Sequence, residues 1–210
     1  MNTCGKIYVA SMNMRGVWAD AIDDQSEDAI KINVTSAQAK NNKNRLCFSP
    51  MTEIVGGYKG YWNFESYWQA GKVYEDIPHS ITRRWWKSLD EPKRRYPNSK
   101  GKKVLYAMFD GNDERMDYVT SRKKIYVPEY YNLIKNKDVT KYWKKMLEDG
   151  NNLIIYDFDG PRTNNGDVDC CEVTLKMLID KINDTKYPFG HGYVVAATIL
   201  GVSPSKYCKV

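Results

Sequence analysis

The chain has few of the residues that build disulfide frameworks or metal sites. It contains two histidines, His79 and His191, and five cysteines, an odd number without a Cys-x-x-Cys pair. A disulfide framework needs an even set of cysteines at regular spacing, and a zinc site needs clustered cysteine and histidine ligands. We therefore expect a reduced protein with no metal and no cofactor.

Long apolar runs are also missing. No apolar core of a secretory signal is visible near the N-terminus, and the longest apolar run, 193–202, is about half of a membrane span. We predict a cytoplasmic location, which would be the host cytoplasm for a viral protein, and no membrane partner. Material for a core is present, because 42% of the 210 residues are apolar and the chain carries 16 tyrosines and 6 tryptophans.

Local patterns predict a mixture of short strands and amphipathic helices, without a tandem repeat or a break in composition. Strands are predicted at 6–10, 30–34, 124–127 and 153–158, helices at 62–76, 80–91 and 172–182, and loops at 18–28 and 38–45. The fold-class prediction is α+β: one mixed domain over residues 1–210, mainly helical with a small sheet.

The predicted helix 62–76 carries two side chains that suit catalysis. Glu65 and Lys72 are seven positions apart, which places them on one helical face with Trp68 and Gln69 between them. A carboxylate can move a proton, and a partly desolvated lysine can attack an aldehyde-like sugar carbon. An ordinary solvent-facing Glu and Lys at the edge of a core helix would give the same pattern.

Two segments resemble the NADAR superfamily of N-glycosidases and ADP-ribosyl hydrolases. Cys47-Phe-Ser-Pro-Met51 is followed by Trp62-Asn-Phe-Glu-Ser-Tyr-Trp-Gln-Ala-Gly-Lys-Val-Tyr74, with Glu65 at the family glutamate and Lys72 at the family lysine. Ser66 stands where the family usually has histidine. The tail Phe189-Gly-His-Gly192 with Leu200-Gly201 is a remote match to the family ending.

The resemblance implies a NADAR-like fold and cleavage of a ribosyl C–N bond in a nucleotide, NAD-derived or ADP-ribosylated nucleobase substrate. Glu65 and Lys72 would be catalytic, with Glu65 stabilising positive charge on the sugar and Lys72 acting as nucleophile or phosphate partner. The partner would be a nucleotide or ADP-ribose-type small molecule, or a modified nucleic acid. Candidate substrate-binding residues are Arg45, Phe48, Trp62, Trp68, Gln69, Asp157, Asp159, Gly190 and His191.

The segment 83–103 supports a different function. It contains nine basic side chains against Asp90 and Glu91, interleaved with Trp85, Trp86 and Tyr96. Such a segment is typical of non-catalytic nucleic-acid or nucleotide-binding proteins, although a solvated surface helix and loop would also explain it.

The segment Leu153-Ile-Ile-Tyr-Asp-Phe-Asp-Gly160 resembles the nucleophile motif of haloacid-dehalogenase phosphatases. In that family the first aspartate attacks phosphorus, the second is acid and base, and Mg²⁺ lies beside them; Asp157 and Asp159 occupy these positions. Pro161 replaces the common threonine. Two aspartates that wall a site or cap a turn are the other interpretations.

Overall fold

Two units make up the described part of the chain in the computed structural model, which describes residues 4–12 and 28–209. The first unit contains residues 4–12, 28–49 and 127–209, and the second contains residues 50–126. The predicted loop 18–28 lies outside the described residues except for Asp28.

The first unit combines a four-stranded sheet with helices. Its strands are β1 (Ile7–Ser11), β2 (Ile30–Asn33), β6 (Leu153–Asp157) and β7 (Cys170–Glu172). Its α-helices are α1 (Lys43–Phe48), α5 (Val127–Ile134), α6 (Asp138–Glu148), α7 (Leu175–Asn183) and α8 (His191–Leu200), and a 3₁₀ turn spans Pro204–Lys206.

The sheet of the first unit has the order β2-β6-β1-β7, with β2, β6 and β1 parallel and β7 antiparallel to β1. Every residue of β1 is buried, as expected for a parallel strand that is covered on both faces. Helix α8 packs against β1, β6, α5 and α6 and is buried from Gly192 to Ile199. The carboxyl end of β6 and the start of α8 therefore lie inside the first unit.

The second unit holds a three-stranded antiparallel sheet. Its strands, in the order β3-β4-β5, are β3 (Lys72–Tyr74), β4 (Val104–Phe109) and β5 (Asn112–Met116). Its helices are α2 (Phe64–Ala70), α3 (His79–Lys87) and α4 (Tyr118–Ser121), with a 3₁₀ turn at Pro97–Ser99 and a π-helix at Arg122–Tyr126.

Aromatic rings from α2 form the core of the second unit. Tyr67 and Trp68 lie against Phe109 of β4, at 5.3 and 5.6 Å between ring centroids. Phe64 and Trp68 also contact Tyr126, at 5.5 and 4.9 Å. Aromatic pairs at these separations add to the stability gained by burying the rings. The rings fix α2 on the sheet.

The α+β class is confirmed, with helices predominating. The extent of the domain, predicted as 1–210, and its NADAR-like character stay predictions. Two predicted elements are wrong. The segment 38–45 includes the start of α1, where the Asn42 side chain accepts the backbone N–H groups of Asn44 and Arg45. The predicted strand 124–127 is helical, whereas the predicted helix 172–182 is confirmed as α7, which begins three residues later than predicted because Glu172 ends β7.

The predicted helix 62–76 is also wrong in extent, and this error affects the site. Helix α2 ends at Ala70, and Lys72 is the first residue of β3. Val73 and Tyr74 favour a strand, and pairing with β4 stabilises one here. Tertiary pairing overrides the helical spacing, so Glu65 and Lys72 do not share a helical face.

Candidate functional site

A cavity of about 310 Å³ in the second unit contains one of the two predicted catalytic residues. This volume is at the lower end of the range of small-molecule sites. The lining comes from α2, β3, β4 and α4, and consists of Trp68, Lys72, Val104, Leu105, Tyr106, Ala107, Tyr118 and Ser121. Glu65 is not part of this lining.

Lys72 reaches the cavity because it begins a strand. It lies directly opposite Ala107 in the antiparallel pair β3–β4, and side chains of opposed residues lie on the same face of a sheet. Both residues line the cavity, and Lys72 is half-buried while Ala107 is 6% exposed. The strand thus supplies an amine to a mainly apolar cavity.

Trp68 forms part of the cavity wall but is already packed by its neighbours. It is 8% exposed and stacks on Phe109 with a 21° angle between the ring planes. Tyr126 covers another part of the indole, with 4.9 Å between centroids. Because Phe109 covers one face of the indole, a base could stack only on the part of the Trp68 ring that remains uncovered.

The rest of the lining combines hydroxyl groups with an apolar rim. Tyr106, Tyr118 and Ser121 carry hydroxyls, while Val104 and Leu105 are 43% and 50% exposed at the opening. This combination suits a ligand with an apolar ring and several hydrogen-bonding groups.

A buried arginine contacts the ring of Tyr118, one of the residues that line the cavity. Arg122, which is 1% exposed, places its guanidinium 4.8 Å from the ring centre of Tyr118. A cation over an aromatic ring is attracted by the negative face of the ring, so Arg122 helps to orient Tyr118. The sequence gives no sign of this, because Arg122-Lys123-Lys124 has the composition of a solvated basic run.

Glu65 lies on α2 one helical turn before Trp68 and belongs to a different group of side chains. Its Oε1 accepts a hydrogen bond of 2.7 Å from Nε2 of Gln69. Burial raises the pKa of Tyr74, the nearby Ser99 and Arg95 lower it, and the carboxylate of Glu65 raises it further. Glu65 and Gln69 therefore lie near Tyr74, while Lys72 and Trp68 line the cavity.

In the first unit, Asp157 and His191 are brought together as predicted, but their contacts are structural. Asp157 is 2% exposed and its Oδ2 accepts a 2.7 Å hydrogen bond from the backbone N–H of Gly192. The same oxygen lies 3.2 Å from Nδ1 of His191, whose Nε2 lies 3.1 Å from the carbonyl oxygen of Val34. These contacts join the start of α8 to the ends of β6 and β2.

Gly190 is explained by the same packing. A Cβ at this position would lie 2.3 Å from Oδ2 of Asp157 and 2.8 Å from Cβ of Asp159. The glycine allows the turn before α8 to approach the end of β6. Asp159 itself is exposed. The burial of Asp157 opposes its predicted role as a phosphatase nucleophile, which must reach a phosphorus atom.

The remaining predicted ligand-binding residues do not form a group around the cavity. Phe48 is fully buried, so its ring is out of reach of a substrate, and its carbonyl accepts a hydrogen bond from the hydroxyl of Tyr130. Arg45 donates through Nη1 to the carbonyl of Gln38. Trp62 is half-buried and is not part of the cavity lining.

Within residues 4–12 and 28–209, no group of three histidine, cysteine, aspartate or glutamate side chains is placed to hold a metal ion. No helix in this part of the chain combines the length and apolar character that a membrane crossing needs.

Comparisons with protein-family models, with curated proteins and with solved structures each found no significant match to this chain. The resemblance to the NADAR superfamily therefore stays a prediction.

Proposed function

We propose that the chain is a hydrolase that cleaves the bond between C1′ of a ribosyl group and a nitrogen atom. The substrate class is a nucleotide, an NAD-derived compound or an ADP-ribosylated nucleobase. Water adds to C1′ and the C–N bond breaks. A nucleobase nitrogen leaves with the proton that water loses, whereas nicotinamide leaves NAD⁺ as a neutral ring and that proton goes to solvent. The observation that carries the proposal is that Lys72, the lysine of the NADAR-like motif, lines a cavity together with Trp68.

The composition of the cavity favours a sugar attached to an aromatic group. The hydroxyls of Tyr106, Tyr118 and Ser121 can exchange hydrogen bonds with ribose oxygens, and the apolar rim can cover a base. Lys72 supplies the one amine of the described lining. It can hold a phosphate as an ammonium ion, or attack an opened sugar as a free amine.

Glu65 has a separate part in the proposal. It precedes Trp68 by three residues on α2, and side chains at this spacing are neighbours on a helix surface. A ligand that extends from the cavity past Trp68 would meet the carboxylate, which stabilises the positive charge that develops on the sugar. Gln69 orients that carboxylate through its 2.7 Å hydrogen bond.

The test is hydrolysis of ADP-ribosylated guanosine and of NAD⁺, followed by chromatographic separation of the released base. We expect Lys72→Ala to reduce turnover about a hundredfold or more, as is typical when a group at the reacting centre is removed. Lys72→Arg separates the two roles, because arginine keeps the charge but is not a nucleophile. Glu65→Gln should reduce turnover while leaving Glu65's partner Gln69 in place.

Two further variants control for the site. Lys141→Ala removes an exposed lysine of the first unit whose side chain is 65% exposed, and should leave turnover unchanged. Leu105→Trp fills the rim of the cavity with a larger side chain, keeps Lys72 in the sequence, and should block the substrate. If folded Lys72→Ala and Leu105→Trp proteins hydrolyse the substrates at the parental rate, the cavity is not the site.

A further inference from the structure

The second unit exposes basic side chains on α3 and on the segment that follows it. We define the basic surface as Arg84, Arg95, Lys100 and Lys103 together with the rings of Trp85 and Tyr96. We propose that this surface binds single-stranded nucleic acid through its phosphates and unpaired bases. The proposal is independent of the reaction at the cavity.

The segment that follows α3 folds back on this helix. Trp86 and Thr82 are buried, which anchors one face of α3, while Arg84 is exposed. The ring of Trp85 meets the ring of Tyr96 edge-on, with 5.3 Å between centroids. This contact holds residues that are eleven positions apart side by side and brings Arg95, the neighbour of Tyr96, towards α3.

Several basic side chains of 83–103 are already paired with carboxylates of the second unit. Asp110 forms ion pairs with Arg83 and with Lys87, the latter at 2.9 Å, and also accepts a hydrogen bond of 2.9 Å from the hydroxyl of Tyr61. These two cations of α3 are therefore held by Asp110, which directly follows β4, and are not available to a partner.

Two lysines of the segment are paired as well. Lys93 lies 2.6 Å from Glu91, and Lys102 lies 3.4 Å from Asp76. The members of the basic surface differ from them. Over residues 4–12 and 28–209, the structure gives Arg84, Arg95, Lys100 and Lys103 no ion-pair partner, and all four are exposed. Their charges are balanced only by solvent ions, which a polyanion would release on binding.

The basic surface also includes a pair of aromatic rings in contact with each other. Trp85 and Tyr96 are both half-buried, so part of each ring is open beside the cations. Aromatic rings next to arginine and lysine are the combination by which proteins hold single strands, because unpaired bases stack on the rings while phosphates meet the charges. A free phosphate or an acidic peptide would not use the rings in this way.

The experiment measures binding of a fluorescent oligothymidine to the full chain by anisotropy as salt rises from about 50 mM to about 200 mM. Four phosphate contacts at about 0.7 each predict that log K falls with log salt at a slope of about −3. Substituting all four cations with glutamine should abolish most of this slope and weaken binding at about 50 mM salt by at least tenfold.

A matched variant controls for net charge. Substituting Lys135, Lys141, Lys144 and Lys176, four exposed lysines of the first unit, with glutamine removes the same charge elsewhere. This control should bind like the parent. Trp85→Leu should weaken binding about tenfold with little change in slope, because it removes stacking rather than charge. Should Trp85→Leu unfold, as judged by circular dichroism, Tyr96→Leu replaces it.

Three results would overturn the proposal: no binding at about 50 mM salt, equal loss in the two quadruple variants, or equal affinity of the parent and the glutamine variant of the basic surface. Vesicles containing anionic phospholipid provide the remaining comparison. Tighter binding to the vesicles than to the oligonucleotide at equal phosphate concentration would assign the surface to a membrane instead.

Discussion

Replacing Asp157 with alanine tests the structural role that the geometry gives to this residue. The buried carboxylate accepts the N–H of Gly192 at 2.7 Å and lies 3.2 Å from Nδ1 of His191. A buried donor that loses its acceptor costs about 1–3 kcal/mol, and hydrogen bonds to charged groups are worth about 1.5–3 kcal/mol. We therefore expect Asp157→Ala to lower the free energy of unfolding by about 3 kcal/mol.

Asp157→Asn should cost less, about 1–2 kcal/mol, because the amide oxygen can still accept the N–H of Gly192. In a protein of this size each kcal/mol shifts the melting temperature by about 2–4 °C, so Asp157→Ala should melt about 6–12 °C below the parent. Thermal unfolding followed by circular dichroism measures the shift. Asp159→Ala is the control, since this exposed side chain should contribute within about 0.5 kcal/mol.

The structural role of Asp157 is refuted if Asp157→Ala melts within a degree or two of the parent, or if Asp159→Ala lowers the melting temperature more. Either result would mean that the contacts of Asp157 do not hold α8 to the sheet. Assaying the parent and Asp157→Asn for Mg²⁺-dependent phosphate release separates stability from chemistry. The phosphatase hypothesis requires activity in the parent that disappears in a folded Asp157→Asn protein.

Two further predictions concern the second unit. Burial lowers the pKa of His79 from its ordinary value of 6.5, with Nε2 held 2.8 Å from the carbonyl of Ala70. The fold favours the neutral imidazole, so the contribution of His79 to stability is fully present above pH 6.5 and is lost as pH falls through the lower pKa of the folded state. In urea unfolding, His79→Gln should therefore lose less stability than the parent between about pH 7.5 and about pH 5. Gly71→Ala should cost about 1–3 kcal/mol in the same assay, because its Cβ would lie 2.3 Å from Cε1 of Phe109, and a parental midpoint would contradict this packing.

Much of the first unit could be predicted from local sequence. The strands β1 and β6 are short apolar runs. Such runs are typical of parallel strands that are buried on both faces of a sheet. Helix α8 overlaps the longest apolar run of the chain, 193–202, and an apolar run of this length fits a buried helix. Local sequence predicts such elements because their apolar residues must be buried.

The geometry of the candidate site could not be predicted in this way. Residues 71 and 74 continue the helical spacing of α2, and no local signal announces that β4, more than thirty residues later, pairs with Lys72–Tyr74. For the aspartates and glycines of the first unit, the residue types alone do not distinguish a ligand site from structural packing. Asp157 and Gly190 are the residue types that ligand sites use, but a close packing of a turn against a strand end requires the same types.

The position of Lys72 depends on how abruptly the chain changes from helix to strand. Gly71 leaves room for the ring of Phe109, and its carbonyl accepts the N–H of Met108 at 2.8 Å, so β4 is held against the chain immediately after α2. Had the helix continued, Lys72 would lie two turns from Glu65 on its surface. Because the strand begins here, the amine is directed with Ala107 into the cavity instead. The cavity, rather than a shared helix face, is therefore what makes Lys72 a candidate for chemistry.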